Sequence, residues 1–74
     1  NTTLKGLVMR YSVDAFLGDQ VLNALKTDSL AEAYKKFAEM IDHVELHKLD
    51  AIVIFDDEME AGMKVIAQVN SYDF

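Results

Sequence analysis

Four carboxylates fall within five consecutive positions of this 74-residue chain, and they are its strongest candidates for chemistry or recognition. Carboxylate oxygens bind Mg²⁺ and Ca²⁺, but a calcium loop needs ligands at set spacings around a turn glycine, and this segment has no such pattern. Clustered carboxylates can also imitate phosphates and bind the Arg and Lys side chains of another protein. The four residues are Asp56, Asp57, Glu58 and Glu60.

We therefore predict a partner-binding surface in this segment, and no metal site. Met59 is included because it lies among the acids at a predicted loop tip, where an exposed methionine can contact a partner. The alternative is that the acids serve only solubility, since net charge commonly keeps small proteins apart in solution. The predicted partner-binding residues are Asp56, Asp57, Glu58, Met59 and Glu60.

Glu39, His43 and His47 recur at every fourth position of a predicted helix. Two histidines at positions i and i+4 can share one zinc ion. A zinc site normally takes three or four protein ligands, and no further ligand is evident, so the spacing favours a solvated Glu–His contact. A metal-dependent enzyme built on these residues is the least supported interpretation of the sequence.

Nucleophilic and nucleotide-dependent chemistry has no support in the sequence. The chain has no cysteine, and it contains no G-x-S-x-G elbow, no G-x-G-x-x-G turn and no Walker A loop. We therefore predict a non-enzymatic protein with no catalytic residues and no cofactor. The missing cysteine also excludes disulfides and fits a reducing, cytoplasmic location.

The negative charge is concentrated in one part of the sequence. Residues 39–60 hold eight carboxylates and one lysine, and the whole chain has a formal net charge of −6. Nucleic-acid binding depends on Lys and Arg meeting phosphates, so an acidic chain argues against direct nucleic-acid contact and against an anionic membrane surface. No apolar run approaches the ~20 residues of a membrane span. The predicted partner is therefore a basic protein.

Apolar residues at helical spacing predict two helices, over residues 13–26 and 30–46. Ser29 and Glu32 form an S-x-x-E capping box at the start of the second helix. The two helices should form a helical hairpin, with Gly18 inside the first of them.

Three segments favour β-strands: residues 4–11, 51–55 and 63–69. The seven residues between the last two strands are too few for a parallel crossover, so we predict an antiparallel hairpin. The expected fold is a single α+β domain over residues 1–74. It has a two-layer β-α-α-β-β arrangement, in which the helical hairpin packs on one face of a three-stranded, mainly antiparallel sheet.

Two features predict a homodimer. Residues 51–55 are apolar on both faces, so a sheet covered on one side would leave apolar side chains in need of a cover. Leu22 lies off the apolar stripe of the first predicted helix. A chain this short buries only about 60% of its unfolded surface, and self-association would add to that. The alternative function is a dimeric, ligand-binding regulatory domain with a small-molecule pocket at the dimer interface.

Overall fold

The computed structural model describes residues 9–73, of which residues 43–47, 61 and 73 are described by their backbone alone. The strands within this range form one sheet in the order β2-β1-β3-β4, and all neighbouring strands are antiparallel. The α+β class is as predicted, whereas the three-stranded sheet and the helical hairpin are wrong. The elements are β1 (Tyr11–Leu17), β2 (Gln20–Thr27), α1 (Leu30–His47), β3 (Ala51–Asp56), a 3-10 turn (Ala61–Met63), β4 (Val65–Asn70) and a second 3-10 turn (Ser71–Asp73).

The region predicted as the first helix, residues 13–26, is a β-hairpin made by β1 and β2. Gly18 takes a φ of +58° at the first position of the two-residue loop, where a type II′ turn takes glycine. A β-bulge interrupts the pairing after Val13 and puts Leu22 and Leu25 on the same face of the sheet. The apolar residues that suggested a helical stripe lie on both faces of the sheet, because Val13 pairs with Leu25 on the side of α1 and Phe16 pairs with Val21 on the other side.

The strands of the second half agree better with the sequence. β3 matches the predicted strand 51–55 and is an interior strand, paired with β1 and β4. The predicted antiparallel hairpin of β3 and β4 is confirmed, although β4 starts two residues later than expected because the turn Ala61–Met63 precedes it. The predicted strand over residues 4–11 lies mostly outside the described residues.

Helix α1 confirms the second predicted helix, and its capping differs from a simple capping box in one contact. Ser29 Oγ accepts a hydrogen bond from the backbone N–H of Glu32 at 3.2 Å, as predicted. The Glu32 carboxylate accepts from Thr27 Oγ1 at 2.8 Å, and Thr27 Oγ1 accepts from the Ser29 N–H at 3.0 Å. The Thr27 hydroxyl therefore lies between the Glu32 carboxylate and the Ser29 N–H, which a simple capping box joins directly. The helix ends at Lys48, which takes a left-handed φ of 58°.

The core lies between α1 and one face of the sheet. Alternate residues of β1 and β3 form that face, because Val13 pairs with Ile54 and Ala15 pairs with Ile52. Phe37 of α1 belongs to the same cluster and is 9% exposed. Helix α1 contacts β1, β2 and β3, so this face is covered within the chain.

The opposite face of β3 is also buried over most of its length. Ala51 and Val53 point away from α1 and are 8% and 4% exposed. The rings of Phe16 and Phe55 lie 6.4 Å apart on the same side of the sheet. Ala51 and Val53 are therefore covered within the chain, and the homodimer stays a prediction that this burial does not test.

Candidate functional site

Asp56, the last residue of β3, is bound by Arg10, which lies just before β1. Arg10 Nε and Nη2 donate hydrogen bonds to the two carboxylate oxygens of Asp56, each at 3.0 Å. Asp56 is 6% exposed, whereas the side chain of Arg10 is 40% exposed. The guanidinium carbon of Arg10 also lies 5.2 Å from the centre of the Tyr11 ring. The bidentate contact fixes both side chains at the end of the sheet where β1 begins and β3 ends.

The Arg10 guanidinium holds the pKa of Asp56 below its ordinary value of 3.8, chiefly through their hydrogen bonds. Burial opposes this shift, and the backbone N–H of Glu58, which donates to Asp56 Oδ1 at 3.0 Å, reinforces it. Asp56 in turn raises the pKa of Arg10. Asp56 is therefore ionised at neutral pH, and its charge is balanced within the molecule.

The residues that follow Asp56 are held against the start of β1. The Asp57 N–H donates to the Arg10 carbonyl at 2.7 Å, and the Met59 N–H donates to the Asp56 carbonyl at 3.1 Å. Ser12 Oγ donates to Asp57 Oδ2 at 2.7 Å. Ser12 itself is 5% exposed, so the Asp57 carboxylate is anchored by a buried hydroxyl. These contacts give the acidic segment a defined path.

Asp28, in the connection between β2 and α1, joins this site from another part of the chain. Its Oδ1 accepts a hydrogen bond from the Arg10 N–H at 3.0 Å. The sheet register explains the meeting, because Tyr11 pairs with both Thr27 and Asp56. Asp28 was not predicted from the sequence, since only the pairing of β1 with two strands reveals its position.

The exposed carboxylates at this end of the sheet form a surface that we call the acidic corner. It adjoins the bound pair of Arg10 and Asp56, because Asp28 and Asp57 bond to the Arg10 backbone and the Glu58 N–H bonds to Asp56. Its members come from two connections, one between β2 and α1 and one between β3 and β4. They are Asp28, Asp57, Glu58 and Glu60.

The predicted partner-binding residues therefore fall into two groups. Asp57, Glu58 and Glu60 are exposed, and Met59 is 37% exposed beside them. Asp56 is buried and bound by Arg10 at the edge of the core, and its role in partner binding stays a prediction. The sequence shows a single arginine, Arg10, but it does not show which carboxylate that arginine meets.

The acidic stretch over residues 39–60 is continuous in sequence but divided in space. Glu39 and Asp42 are exposed on α1. Asp50 lies at the far end of the sheet, where its Oδ2 accepts a hydrogen bond from the Gly18 N–H at 2.6 Å. Only the segment after β3 belongs to the acidic corner, so the local charge there is smaller than the sequence suggests.

Glu39, His43 and His47, the series predicted from the sequence, lie on α1. The structure describes the two histidines by their backbone alone. Among the side chains that are described, no group of three or more His, Asp or Glu residues is placed to hold a metal ion.

A groove lies between β2 and α1, at the end of the sheet opposite to the acidic corner. Its volume is about 450 Å³. Lys36 is the charged residue in a lining that is otherwise apolar. The groove adjoins the hairpin loop at Gly18, and Leu22 forms part of its wall. The apolar lining consists of Ala15, Leu17, Leu22, Ala24, Met40 and Leu49.

Comparison with protein-family models gives no match, and neither curated proteins nor solved structures match this chain. Within residues 9–73, no helix combines the length and the apolar character that a membrane crossing requires. Functional inference therefore depends on the geometry and charge of the chain itself.

Proposed function

We propose that this protein is a non-enzymatic interaction module, an inhibitor or adaptor, that binds a basic surface of a partner protein through the acidic corner. The supporting observation is the fixed base beneath the exposed acids. Arg10 binds Asp56 with two hydrogen bonds, and buried Ser12 binds Asp57 with a third. The carboxylates are thus presented from an ordered segment at the end of the sheet.

Order in the free protein matters for affinity because association must otherwise immobilise loops and side chains. In the acidic corner, the backbone of residues 57–59 is already tied to Arg10 and Asp56. Glu58 and Glu60 are exposed and can meet Arg or Lys side chains of a partner without unfolding this base. Carboxylates in such an arrangement can occupy a surface that otherwise binds phosphates.

Met59 gives this surface an apolar contact among the charges. Its side chain is 37% exposed between Glu58 and Glu60. Methionine adapts its shape to a partner groove, and interface energy usually concentrates in a few such desolvated side chains. In the proposed complex, the acids steer association and Met59 contributes to the lifetime of the complex.

The proposed partner is a basic protein and not nucleic acid, because the exposed charge of the acidic corner repels phosphates. The proposed location is cytoplasmic, in keeping with a sequence that has no cysteine. The proposed complex needs no cofactor and no catalytic residue.

The experiment is affinity purification from the native source with mass spectrometry, followed by kinetics with the recovered partner. Capture should decline as salt rises, since the Debye length falls to about 3 Å at 1 M. The Glu58→Gln/Glu60→Gln variant should capture less partner than the parent. The control is Glu39→Gln/Asp42→Asn, which makes the same change in charge on α1. Equal capture by both variants and the parent would leave the acids as a solubility device.

The groove between β2 and α1 favours a second candidate, a regulatory domain that binds a small molecule. Its apolar lining suits an elongated apolar ligand, and Lys36 at the wall suits an anionic group on that ligand. A ligand that binds only the folded state raises the melting temperature. A thermal-shift screen of anionic amphipathic metabolites, with Lys36→Met as the control, tests this candidate. A shift that persists in Lys36→Met would argue against this site.

A further inference from the structure

A polar cavity of about 700 Å³ continues the apolar groove along α1, and the two meet at Lys36. Ala24 of β2 lines the groove, the next residue, Leu25, lines the cavity, and Lys36 of α1 lines both. Together they form one cleft between β2 and α1, which we call the β2–α1 cleft. It is apolar at the end near the hairpin loop and polar at the end where α1 begins.

Lys36 is half-buried at this junction and has no partner of its own. Its ammonium group forms neither an ion pair nor a hydrogen bond within the described part of the chain. The stem of a lysine commonly covers apolar surface while its charged end stays at the edge of that surface. Lys36 therefore marks the place of an anionic group on a ligand whose apolar part fills the groove.

The groove itself suits a single alkyl chain. Leu17 and Leu22 are 39% and 48% exposed at its wall, and Met40 lies one turn after Lys36 on the same side of α1. An alkyl chain in the groove would remove all three side chains from water. The volume of about 450 Å³ falls within the roughly 300–1,000 Å³ of small-molecule sites.

The polar cavity adds two lysines to the one at the junction. Lys26 comes from β2 and Lys35 from α1, and neither forms an ion pair with any described carboxylate. Three lysines are more than a single carboxylate group requires. A phosphate group offers three acceptor oxygens and up to two negative charges, and lysine binds it as a point charge.

The carboxylates of the polar cavity limit the size of the anion. Asp28 accepts a hydrogen bond from the Arg10 N–H, and Glu32 accepts one from Thr27 Oγ1. Glu39 is the third carboxylate of the lining. Because lysines and carboxylates are equal in number here, the cavity suits one compact phosphate and would repel an extended polyanion such as nucleic acid.

We propose that the β2–α1 cleft binds a free single-chain alkyl phosphate, with the chain in the groove and the phosphate at Lys36 and the lysines of the polar cavity. This inference rests on the second candidate function, the small-molecule site, and specifies its ligand. It does not depend on the acidic corner.

The first test titrates the whole chain with decyl phosphate below its micelle concentration, followed by calorimetry and by melting temperature. Octyl phosphate should bind roughly fifteenfold more weakly, since each buried methylene contributes about fourfold in affinity. Decanoate should also bind more weakly than decyl phosphate, and inorganic phosphate should not bind measurably. Absence of decyl phosphate binding, or equal affinities for the octyl and decyl compounds, would overturn the proposal.

The second test removes the ammonium group at the junction. Lys36→Met should weaken decyl phosphate binding roughly tenfold and leave decanol binding unchanged, because the variant keeps an apolar stem. The matched control is Lys64→Met, which makes the same change in charge at a half-buried lysine between the turn Ala61–Met63 and β4. The control should bind decyl phosphate like the parent, and circular dichroism should show both variants folded. Equal weakening in the two variants would assign binding to overall charge and overturn the proposal.

The same measurements separate failure of the ligand from failure of the site. Decanoate that binds as tightly as decyl phosphate, and depends on Lys36, would overturn the phosphate head group and leave the small-molecule site. A Lys36-dependent thermal shift with a different ligand, and none with decyl phosphate, would overturn this inference alone. Absence of any Lys36-dependent ligand would end both. Sedimentation of the chain with vesicles that contain phosphatidic acid, without binding of decyl phosphate, would assign the lysines to a membrane surface and also overturn the proposal.

Discussion

Arg10 and Asp56 are 46 positions apart in the sequence and are joined by two hydrogen bonds of 3.0 Å. This contact ties the residue before β1 to the last residue of β3. It also removes one carboxylate from the surface that the sequence predicted. Of the exposed acids that remain, Asp28, Asp57 and Glu58 bond to this pair, and Glu60 follows in the same connection as Asp57 and Glu58. The Arg10–Asp56 pair therefore fixes the shape of the acidic corner, although its own two charges cancel.

The Arg10–Asp56 pair predicts a pH-dependent contribution to stability. The pKa of Asp56 lies below its ordinary value of 3.8 in the folded protein, so folding favours the ionised carboxylate. The stabilisation is complete above the unfolded pKa and is lost as pH falls through the folded pKa. We expect Asp56→Asn to lower the melting temperature at pH 7, with a difference from the parent that narrows below about pH 4.

Melting curves of parent and variant between pH 2 and pH 7 measure this difference. Glu39→Gln, on the exposed side of α1, is the control and should follow the parent throughout. A difference between parent and Asp56→Asn that stays constant down to pH 2 would show that Arg10 does not stabilise the ionised carboxylate.

Phe37 should be the most sensitive position of α1 to truncation. Its side chain is 9% exposed and packs with Val13, Ile52 and Ile54. Phe37→Ala should reduce the free energy of unfolding by about 3–5 kcal/mol, because it removes buried apolar surface and leaves a cavity. Tyr34→Ala, at a position that is 45% exposed, should cost about 1 kcal/mol. Urea denaturation measures both losses. Equal losses of unfolding free energy for the two variants would show that Phe37 is not a core residue.

Gly18 and Lys48 both have a positive φ, and we expect substitutions at these two positions to change the stability of the protein in opposite directions. Gly18 has a φ of +58° and no atom within 4 Å of a Cβ added there, so Gly18→Ala should destabilise by about 1 kcal/mol through backbone strain alone. Lys48 has a φ of 58° where α1 ends, so Lys48→Gly should stabilise by about 1 kcal/mol. Urea denaturation of both variants measures the sign of each change in stability. A stabilising Gly18→Ala would contradict the type II′ turn at Gly18.

The second half of the fold could be predicted because its signals are local. The Ser29–Glu32 capping box and the apolar stripe specify α1, and the two-sided apolar run of β3 specifies an interior strand. The first half could not, because residues 13–26 satisfy two periods at once. Val13, Phe16 and Leu17 followed by Val21 and Leu25 have helical spacing, whereas the strand register puts Val13 and Leu25 on one face and Phe16 and Val21 on the other.

The candidate site was predicted in part for a similar reason. Carboxylates that are neighbours in sequence remain neighbours after folding, so Asp57, Glu58 and Glu60 could be found. Arg10 and Asp28 reach this site through the pairing of strands that are far apart in the sequence. Composition and residue spacing do not reveal that pairing. Leu22 lies off the stripe of the predicted helix, and in the structure it is an exposed residue of β2, an outer strand of the described sheet.

The most direct test of the central proposal is the rate at which the parent and Glu58→Gln/Glu60→Gln associate with the purified basic partner at low and high salt. We predict that the variant associates roughly tenfold more slowly at low salt and that the difference narrows at high salt, since exposed charges act by steering. Its melting temperature should equal that of the parent, because both residues are exposed. Association rates that are the same for both proteins at both salt concentrations would contradict recognition by the acidic corner.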